Sequence, residues 1–172
     1  MENIYLVGFM GCGKSTIAEK LSKEINFKHI DTDSIIEEQN SMSISEIFKN
    51  KDEKYFRNEE YKILEKILNQ ERIVVSTGGG FVCSRDIMNK INENNLSIYL
   101  KLTADNLHKR LKLNYKKRPL LSNIKKEKLK DYINSLLIKR EEFYAKSRII
   151  IDCNELNKKE ILRKINTLIR SR

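Results

Sequence analysis

The sequence predicts an α/β fold in which about five parallel strands form one sheet with helices on both faces. Short β-like runs alternate with longer helical patterns, and a glycine-rich motif separates the first run from the first helical pattern. The 172 residues are 40% apolar, which suits one compact domain with a full core. We therefore expect residues 1–172 to form a single domain.

Five short apolar runs are the strand candidates. They are Ile4 to Val7, Phe27 to Asp31, Ile73 to Ser76, Ser97 to Leu102 and Arg148 to Asp152. Apolar residues recur near helical spacing from Thr16 to Glu24 and from Tyr55 to Leu68. Ser43 with Glu46 is typical of a capping box that opens a short helix. This alternation indicates βαβ units, whose crossovers are right-handed.

A glycine-rich motif follows the first strand candidate. Residues Gly8 to Ser15 read GFMGCGKS and fit the pattern G-x-x-x-x-G-K-[ST] at every fixed position. Glycines let backbone N–H groups close around phosphate oxygens, Lys14 can reach the β and γ phosphates of a nucleotide, and the Ser15 hydroxyl can ligate Mg²⁺. The motif therefore predicts a phosphate-binding loop, and a glycine turn without a ligand is the alternative.

The charge of the chain is strongly basic and unevenly distributed. There are 34 Lys and Arg against 24 Asp and Glu, a net charge of +10, and the last 72 residues alone carry +13. A basic half could bind nucleic acid, but it equally suits an enzyme whose nucleotide and substrate are both anions. Lysines also stand beside glutamates, as in Glu60 to Lys66, which is typical of a solvated helix face.

The cysteines and the hydropathy pattern bound the compartment. Cys12, Cys83 and Cys153 form no C-x-x-C pair and indicate neither a disulfide framework nor a zinc site. No run approaches 18 apolar residues, and no basic segment precedes a long apolar core at the start of the chain, so a membrane span and secretion are disfavoured. We expect a cytoplasmic protein without a membrane partner.

Two aspartates end the second strand candidate, in Asp31-Thr-Asp33. Residues two apart on an extended segment point the same way, so both carboxylates could face the crevice at the strand ends. One could hold Mg²⁺ through its water shell, while the other accepts a proton from an attacking hydroxyl. For Asp33, capping of the next helix is the alternative.

Two further motifs could bind an acceptor substrate. Arg57 and Glu60, in FRNEE, lie three apart on a predicted helix, so an arginine oriented by Glu60 could clamp a carboxylate. A surface ion pair is the alternative. Residues 78–80 are three glycines directly after the third strand candidate, and they allow a ligand to lie on bare backbone. A flexible turn is the alternative.

The only proline lies in a basic segment between two helical patterns. Residues 114–123 read NYKKRPLLSN, and their charge together with Pro119 predicts an exposed loop. We expect a mobile lid at about residues 112–124, in which Lys116 and Lys117 precede Arg118.

Taken together, these motifs resemble those of the shikimate kinase family. GFMGCGKS, DTD, FRNEE, STGGG and RPLL occur in this order, and the resemblance covers essentially the whole chain. It implies a P-loop NTPase of the nucleoside-monophosphate-kinase-like fold, with a substrate-binding region at about residues 32–60 and a lid that closes over ATP. It also implies phosphorylation of the shikimate 3-hydroxyl by MgATP, a step toward chorismate and the aromatic amino acids. ATP and shikimate would be the small-molecule partners, Mg²⁺ the cofactor, and a monomer is expected.

By motif position, the resemblance implies a nucleotide site in which Ser15 ligates Mg²⁺ and Asp31 supports the ion through water. Arg118 would come from the lid toward the phosphates, and Asn154 would lie near the adenine. The remaining phosphate contacts would come from Gly11, Cys12, Gly13, Lys14 and Thr16.

The same resemblance implies a substrate site around Asp33, which would bind shikimate hydroxyls and act as the base. Lys14 and Arg118 would be the other catalytic groups. Arg57 and Arg140 would pair with the shikimate carboxylate, and a backbone group of Gly79 would contact the ring hydroxyls. Arg140 opens the segment REEFY, which is similar to the R-x-x-x-Y motif of the family.

Other P-loop proteins are the alternatives. A gluconate kinase or a nucleoside-monophosphate kinase would share the ATP site and differ in the acceptor pocket, and DTD, FRNEE and GGG argue against both. A regulatory or nucleic-acid-binding P-loop protein would account for the basic half. The chain has no aromatic-rich basic stretch, however, so we expect no nucleic-acid partner.

Overall fold

The strands of the protein match the predicted runs closely. The structure is a computed structural model that describes residues 2–84 and 86–171, with only the backbone of Lys117. The strands are β1 (Ile4–Val7), β2 (Lys28–Asp31), β3 (Ile73–Ser76), β4 (Leu96–Lys101) and β5 (Ile149–Asp152). Two strands begin and end where the sequence predicts, and the ends of the other three differ by at most one residue.

Helices occupy most of the chain between the strands. They are α1 (Lys14–Glu24), α2 (Thr32–Asn40), α3 (Ile44–Asn50), α4 (Glu53–Leu68), α5 (Ile87–Asn94), α6 (Ala104–Leu111), α7 (Pro119–Ser122), α8 (Leu129–Tyr144) and α9 (Lys158–Arg170). Short 3₁₀ turns lie at Phe81–Cys83, Tyr115–Lys117 and Lys126–Lys128.

Capping side chains explain where two of these helices begin. The predicted capping box is present at α3, where Ser43 Oγ accepts from the Glu46 amide at 3.2 Å and Glu46 Oε2 accepts from the Ser43 amide at 2.7 Å. Helix α4 begins before the predicted Tyr55, because the Asp52 carboxylate accepts from the Tyr55 amide at 2.6 Å.

The five strands form one parallel sheet in the order β2-β3-β1-β4-β5. The connection from β1 to β2 runs toward one edge of the sheet. The connections from β2 to β3, from β3 to β4 and from β4 to β5 all run toward the other edge. Because such crossovers are right-handed, α1 covers one face and the helices between β2 and β5 cover the other. Helix α9 packs against α1, and α5 packs against β4. The predicted α/β fold is confirmed.

This topology places a ligand crevice between β1 and β3. The two strands are neighbours, but the chain leaves their carboxyl ends in opposite directions, which creates the position where open parallel sheets bind ligands. Every residue of β1 and β3 is buried, whereas the edge strands β2 and β5 are partly exposed. The loops at the crevice therefore stand on the most rigid part of the sheet.

The segment at residues 112–124 differs from the predicted exposed loop. It contains the 3₁₀ turn Tyr115–Lys117 and the short helix α7, which Pro119 opens. Tyr115 and Leu121 are buried and belong to the hydrophobic core. The two apolar side chains anchor a segment whose charge suggested full exposure, while the side chain of Lys117 lies outside the described part of the structure.

No helix among residues 2–84 and 86–171 combines the length and the apolar character needed to cross a bilayer.

Candidate active site

The glycine-rich loop closes on the start of α1 and leaves amide groups free there. Gly11 has a φ of +81°, and a Cβ atom at this position would lie 2.8 Å from a methyl carbon of Leu111, so only glycine fits. Gly13 precedes the helix and has no side chain to cap it. The first intrahelical bond runs from the Ile17 amide to the Gly13 carbonyl at 3.0 Å. The amides of residues 14–16 therefore form an anion site at the positive end of the helix.

Lys14 lies buried inside this loop. Its Nζ donates to the carbonyls of Gly8 and Phe9 at 2.7 and 3.0 Å and lies 3.6 Å from Cys12 Sγ. Cys12 is buried as well, and its amide donates to the Phe9 carbonyl at 3.2 Å, so this residue shapes the loop. The ammonium group therefore lies inside the loop, beside the start of α1.

Asp31 is the centre of a hydrogen-bond network at the end of β2. Its Oδ2 accepts from the hydroxyls of Ser15 and Ser76, each at 2.7 Å. Its Oδ1 accepts from the amides of Asp33 and Ser34 at 3.1 and 3.3 Å. Asp31 therefore caps α2, and the capping role considered for Asp33 belongs to its neighbour.

Asp33 lies in the first turn of α2, so the predicted extended geometry of Asp31-Thr-Asp33 is wrong. Because Asp31 caps the helix, the Asp33 carboxylate is not used as the cap. Its buried Oδ1 has no hydrogen-bond partner among the described residues. Burial, followed by the nearby charge of Asp31, raises the pKa of Asp33 to about 6. Lys14 and Arg118 oppose this shift.

Arg57 and Glu60 form an ion pair that is much less exposed than a surface pair. Arg57 Nη1 lies 2.7 Å from Glu60 Oε2, and its Nη2 lies 2.8 Å from Glu53 Oε1. Glu60 is fully buried, so its assignment to a solvated helix face is wrong. Burial raises the pKa of Glu60 to about 7, against the effect of Arg57, and its Oε1 has no partner within the described structure.

The glycines at 78–80 make room for side chains that line the crevice. A Cβ atom on Gly78 would lie 2.5 Å from Asp33 Oδ1, and one on Gly80 would lie 2.7 Å from the Arg57 guanidinium. A Cβ atom on Gly79 would lie 2.9 Å from the Met10 amide nitrogen. In this segment the backbone closely approaches charged side chains, so the alternative of a flexible turn does not describe it.

We expect Gly78→Ala to lower kcat at least about tenfold, because the added methyl group must displace the Asp33 carboxylate. Steady-state kinetics would measure this effect, and thermal unfolding would show that the variant is folded. A Gly78→Ala enzyme with normal kcat would contradict the proposed position of Asp33.

Arg140 reaches the crevice from α8. It is buried, its Nη1 donates to the Gly79 carbonyl at 3.1 Å, and its guanidinium lies 5.7 Å from the centre of the Phe9 ring. Arg57 approaches the glycine segment near Gly80. The structure therefore brings to one crevice Arg57 and Arg140, the two arginines that the family resemblance assigned to a carboxylate.

Two adjoining cavities occupy the crevice. The smaller, of about 230 Å³, is lined by the phosphate-binding loop with Lys14, Ser15 and Asp31. The larger, of about 350 Å³, is lined by Arg57, Glu60 and Arg140 and by apolar side chains of α3 and α4. Both cavities include the same four residues in their walls: Met10, Asp33, Gly79 and Arg118. Asp33 thus stands where a group bound in one cavity would meet a group bound in the other.

The segment at residues 112–124 contributes to both cavities, whereas Asn154 lines neither of them. Arg118 is exposed and contributes to both walls, and Pro119 and Leu120 lie over the larger cavity. Asn154 Oδ1 accepts from the Thr103 amide and from Asn106 Nδ2, each at 2.9 Å. Its side chain therefore connects the end of β5 to α6.

Several residues at the site were not predicted. Ser76 holds Asp31, and Thr32 Oγ1 accepts from the Gly78 amide at 2.9 Å. Arg110 donates to the Cys12 carbonyl at 3.0 Å, so a cation from α6 lies against the phosphate-binding loop. Tyr144 donates to the Gly79 carbonyl. The tyrosine of REEFY was visible in the sequence, but the other contacts join residues that are far apart in the chain and had no sequence signal.

Comparisons with known proteins identify the family. The family model described as "Shikimate kinase" matches residues 10–170. The chain is 41% identical over 173 residues to a shikimate kinase of Sulfurihydrogenibium sp. (strain YO3AOP1), with full coverage of both chains. The chain belongs to the shikimate kinase family. It is therefore a small-molecule kinase, as the sequence predicted.

Solved structures of other family members have the same fold. The shikimate kinase from Acinetobacter baumannii, in complex with shikimate, is 28% identical with a TM-score of 0.91, and the match covers 99% of this chain and 94% of that one. The enzyme from Bacteroides thetaiotaomicron is 31% identical with a TM-score of 0.90, and the match covers 98% of both chains. The resemblance in fold therefore extends over nearly the whole chain.

Proposed function

We propose that this member of the shikimate kinase family transfers the γ-phosphoryl group of ATP to the 3-hydroxyl of shikimate, giving shikimate 3-phosphate and ADP for chorismate and aromatic amino acid biosynthesis. The position of Asp33 carries the proposal. It lines both the phosphate-loop cavity and the cavity with the two arginines, and its Oδ1 is free of other partners in the described structure. A base at this junction can take the proton of a hydroxyl as that oxygen attacks a phosphate.

The acceptor cavity suits a small, polyhydroxylated acid. The Arg57 and Arg140 guanidinium groups can bind a carboxylate, and Asp33 with a backbone group of Gly79 can bind ring hydroxyls. Ile44, Phe48 and Phe56 supply an apolar wall for a carbon ring. This combination of two cations, hydroxyl acceptors and an apolar wall supports shikimate as the substrate.

In the nucleotide cavity, the amides of Gly11 to Thr16 and the Lys14 ammonium would hold the ATP phosphates, while Arg118 would approach from the lid. These donors favour the charge that develops on the transferring group, and they act most strongly when the lid excludes water. The predicted adenine contact near Asn154 and the mobility of the lid stay predictions.

The oxygen atoms around Ser15 fit a magnesium ion. Ser15 Oγ and Asp31 Oδ2 lie 2.7 Å apart beside the anion site, and oxygen ligands of this kind, together with phosphates, are what Mg²⁺ prefers. When bound, the ion would neutralise charge on the phosphate oxygens. Ser15 would ligate it directly, and Asp31, whose Oδ2 also accepts from Ser76, would hold its water shell.

A panel assay tests the function. ADP release would be followed by a coupled enzyme reaction with shikimate, quinate, gluconate and nucleoside monophosphates as acceptors. We expect ADP release above background with shikimate at the highest kcat/KM. ADP release with gluconate or a nucleoside monophosphate and none with shikimate would overturn the proposal.

We further propose that residues 1–172 act as one domain, a monomer in the cytoplasm, without a nucleic-acid partner.

We expect Arg57→Ala to raise the KM for shikimate at least about tenfold and the KM for ATP much less, because Arg57 lines only the acceptor cavity. Arg57→Lys keeps the charge but loses the planar fork, so its KM for shikimate should lie between those of the wild type and Arg57→Ala. Arg163→Ala, which removes an exposed arginine of α9, is the control and should change neither KM. Equal effects of Arg57→Ala on both substrates would contradict a carboxylate clamp.

A further inference from the structure

We propose that Tyr144 is a positioning residue of the substrate site, whose hydroxyl holds the Gly79 carbonyl and so leaves Arg140 free to bind the carboxylate of the substrate. This inference rests on the proposed function. Tyr144 lines neither cavity, so its role would be exerted through Gly79 and Arg140 and not by contact with a ligand.

Two side chains of α8 meet at one carbonyl group. The Gly79 oxygen accepts from Arg140 Nη1 at 3.1 Å and from the Tyr144 hydroxyl. The two donors are four residues apart and therefore lie on the same face of the helix. Both are buried, and Tyr144 has no exposed surface. The Gly79 carbonyl thus accepts hydrogen bonds from one charged donor and one neutral donor on the same face of α8.

The ring of Tyr144 is fixed by packing against a neighbouring ring. Its ring packs on that of Tyr99, with the ring centres 5.0 Å apart and the planes inclined by 35°. The Tyr99 hydroxyl donates to Glu141 Oε2 at 2.7 Å, so it takes no part in holding the Gly79 carbonyl. Burial raises the pKa of Tyr144 well above its ordinary value, so the phenol keeps its proton and remains a donor.

A glycine segment needs such a fixed partner. Gly78, Gly79 and Gly80 have no side chains to restrict them, yet the positions of their missing Cβ atoms lie within 3 Å of Asp33, Met10 and Arg57. A rotation of the peptide plane after Gly79 would move its carbonyl and the next amide together, because the peptide unit is planar. Without a second donor, this carbonyl would be held by the Arg140 guanidinium alone.

The same guanidinium is the group that the substrate carboxylate requires. Arg140 lines the acceptor cavity, and a carboxylate bound there would draw it away from the Gly79 carbonyl. A buried carbonyl that loses its hydrogen-bond partner raises the free energy of the bound state, so the loss would weaken binding of the substrate. The Tyr144 hydroxyl removes the competition, because the carbonyl keeps a partner when Arg140 turns toward the substrate.

Tyr144→Phe tests the inference, because it keeps the ring packing and removes only the hydroxyl. We expect the KM for shikimate to rise roughly tenfold, with the KM for ATP within about twofold of the wild-type value. Tyr99→Phe is the matched control: it removes a hydroxyl from the same ring pair, but one that bonds to Glu141 and not to Gly79. The control should leave the KM for shikimate within about twofold, even if its thermal stability falls.

Direct binding and an NMR measurement complete the test. The dissociation constant for shikimate, measured by calorimetry, should rise in Tyr144→Phe and not in Tyr99→Phe. In the wild-type protein, the Tyr144 hydroxyl proton should exchange slowly, both with and without shikimate, which can be measured even if Tyr144→Phe does not fold. An unchanged shikimate affinity in Tyr144→Phe, an equal loss in both variants, or a rapidly exchanging hydroxyl proton would overturn the inference. A wild-type enzyme that does not phosphorylate shikimate would instead overturn the proposed function.

Discussion

Lys14→Ala should lower kcat by about 100-fold or more. The ammonium group lies beside the amides that would hold the phosphates, within 3.0 Å of two carbonyls of the loop, and is the only buried lysine in the described structure. As the phosphoryl group is transferred, charge develops on its oxygens, and a donor fixed at that position stabilises this charge more than it stabilises the ground state. Steady-state kinetics with saturating shikimate and ATP would measure the loss.

The control for this variant must separate loss of the charge from damage to the loop. Removing the ammonium leaves the Gly8 and Phe9 carbonyls without that donor, so thermal unfolding and ADP binding should be measured in the same variant. Lys20→Ala removes an exposed lysine from the same helix and should keep wild-type turnover. If Lys14→Ala also retains wild-type turnover, Lys14 does not assist the transfer.

The sheet and the phosphate-binding loop could be predicted because local patterns determine them. The central strands are continuous apolar runs, such as Ile4–Val7, and the structure buries every residue of that run. The capping box of Ser43 and Glu46 is a contact between residues three apart, so its sequence signature is sufficient. Where the contacts that determine the structure join residues close together in the sequence, the prediction and the structure agree.

The errors at the site have a different cause. The geometry of Asp33 follows from the helix that begins directly after β2, where Asp31 caps α2 and also accepts a hydrogen bond from Ser76, 45 residues away. The burial of Glu60 follows from the packing of α4 beside the glycine segment, which the alternation of glutamate and lysine in that helix does not reveal. The Asp31 cap is a local contact that the extended interpretation of the motif overlooked, whereas the burial of Glu60 is a tertiary feature about which a local pattern contains no information.

The same contacts explain how the site can hold so many charges. The Asp33 and Glu60 carboxylates each have one oxygen without a partner among the described residues, and they lie among the cationic groups of Lys14, Arg57 and Arg140. A buried charge is costly unless it is paired, and burial raises the pKa of both acids despite the nearby cations. The protein therefore keeps at the crevice two carboxylates that lower its stability, as is expected where such groups act on a ligand.

Asp33→Asn should lower kcat by roughly 10²–10⁴-fold, the range expected when a general base is lost. The amide is similar in size to the carboxylate, so the cavity should be preserved while the proton acceptor is removed. Asp131→Asn, an exposed aspartate on α8, is the control and should leave kcat unchanged. Dissociation constants for ADP and shikimate would show whether both sites remain intact in Asp33→Asn.

The pH dependence gives the same prediction a sharper form. A base with a pKa of about 6 is ionised above that pH, so kcat/KM of the wild type should fall as the pH drops through about 6. The residual activity of Asp33→Asn should lack this decline. An acid limb that persists unchanged in the variant would assign the titration to another group, such as Glu60, whose pKa is also raised.

Stability should change in the opposite direction to activity. Because the pKa of Asp33 is higher in the folded protein than the ordinary value of 3.8, the folded state binds this proton more tightly, and its contribution to stability is lost as the pH rises from about 4 to about 6. At pH 7, Asp33→Asn removes a buried charge and should raise the free energy of unfolding by on the order of 1 kcal/mol, a gain that should vanish below pH 4. A variant that is inactive but less stable at pH 7 would show instead that Asp33 supports the fold.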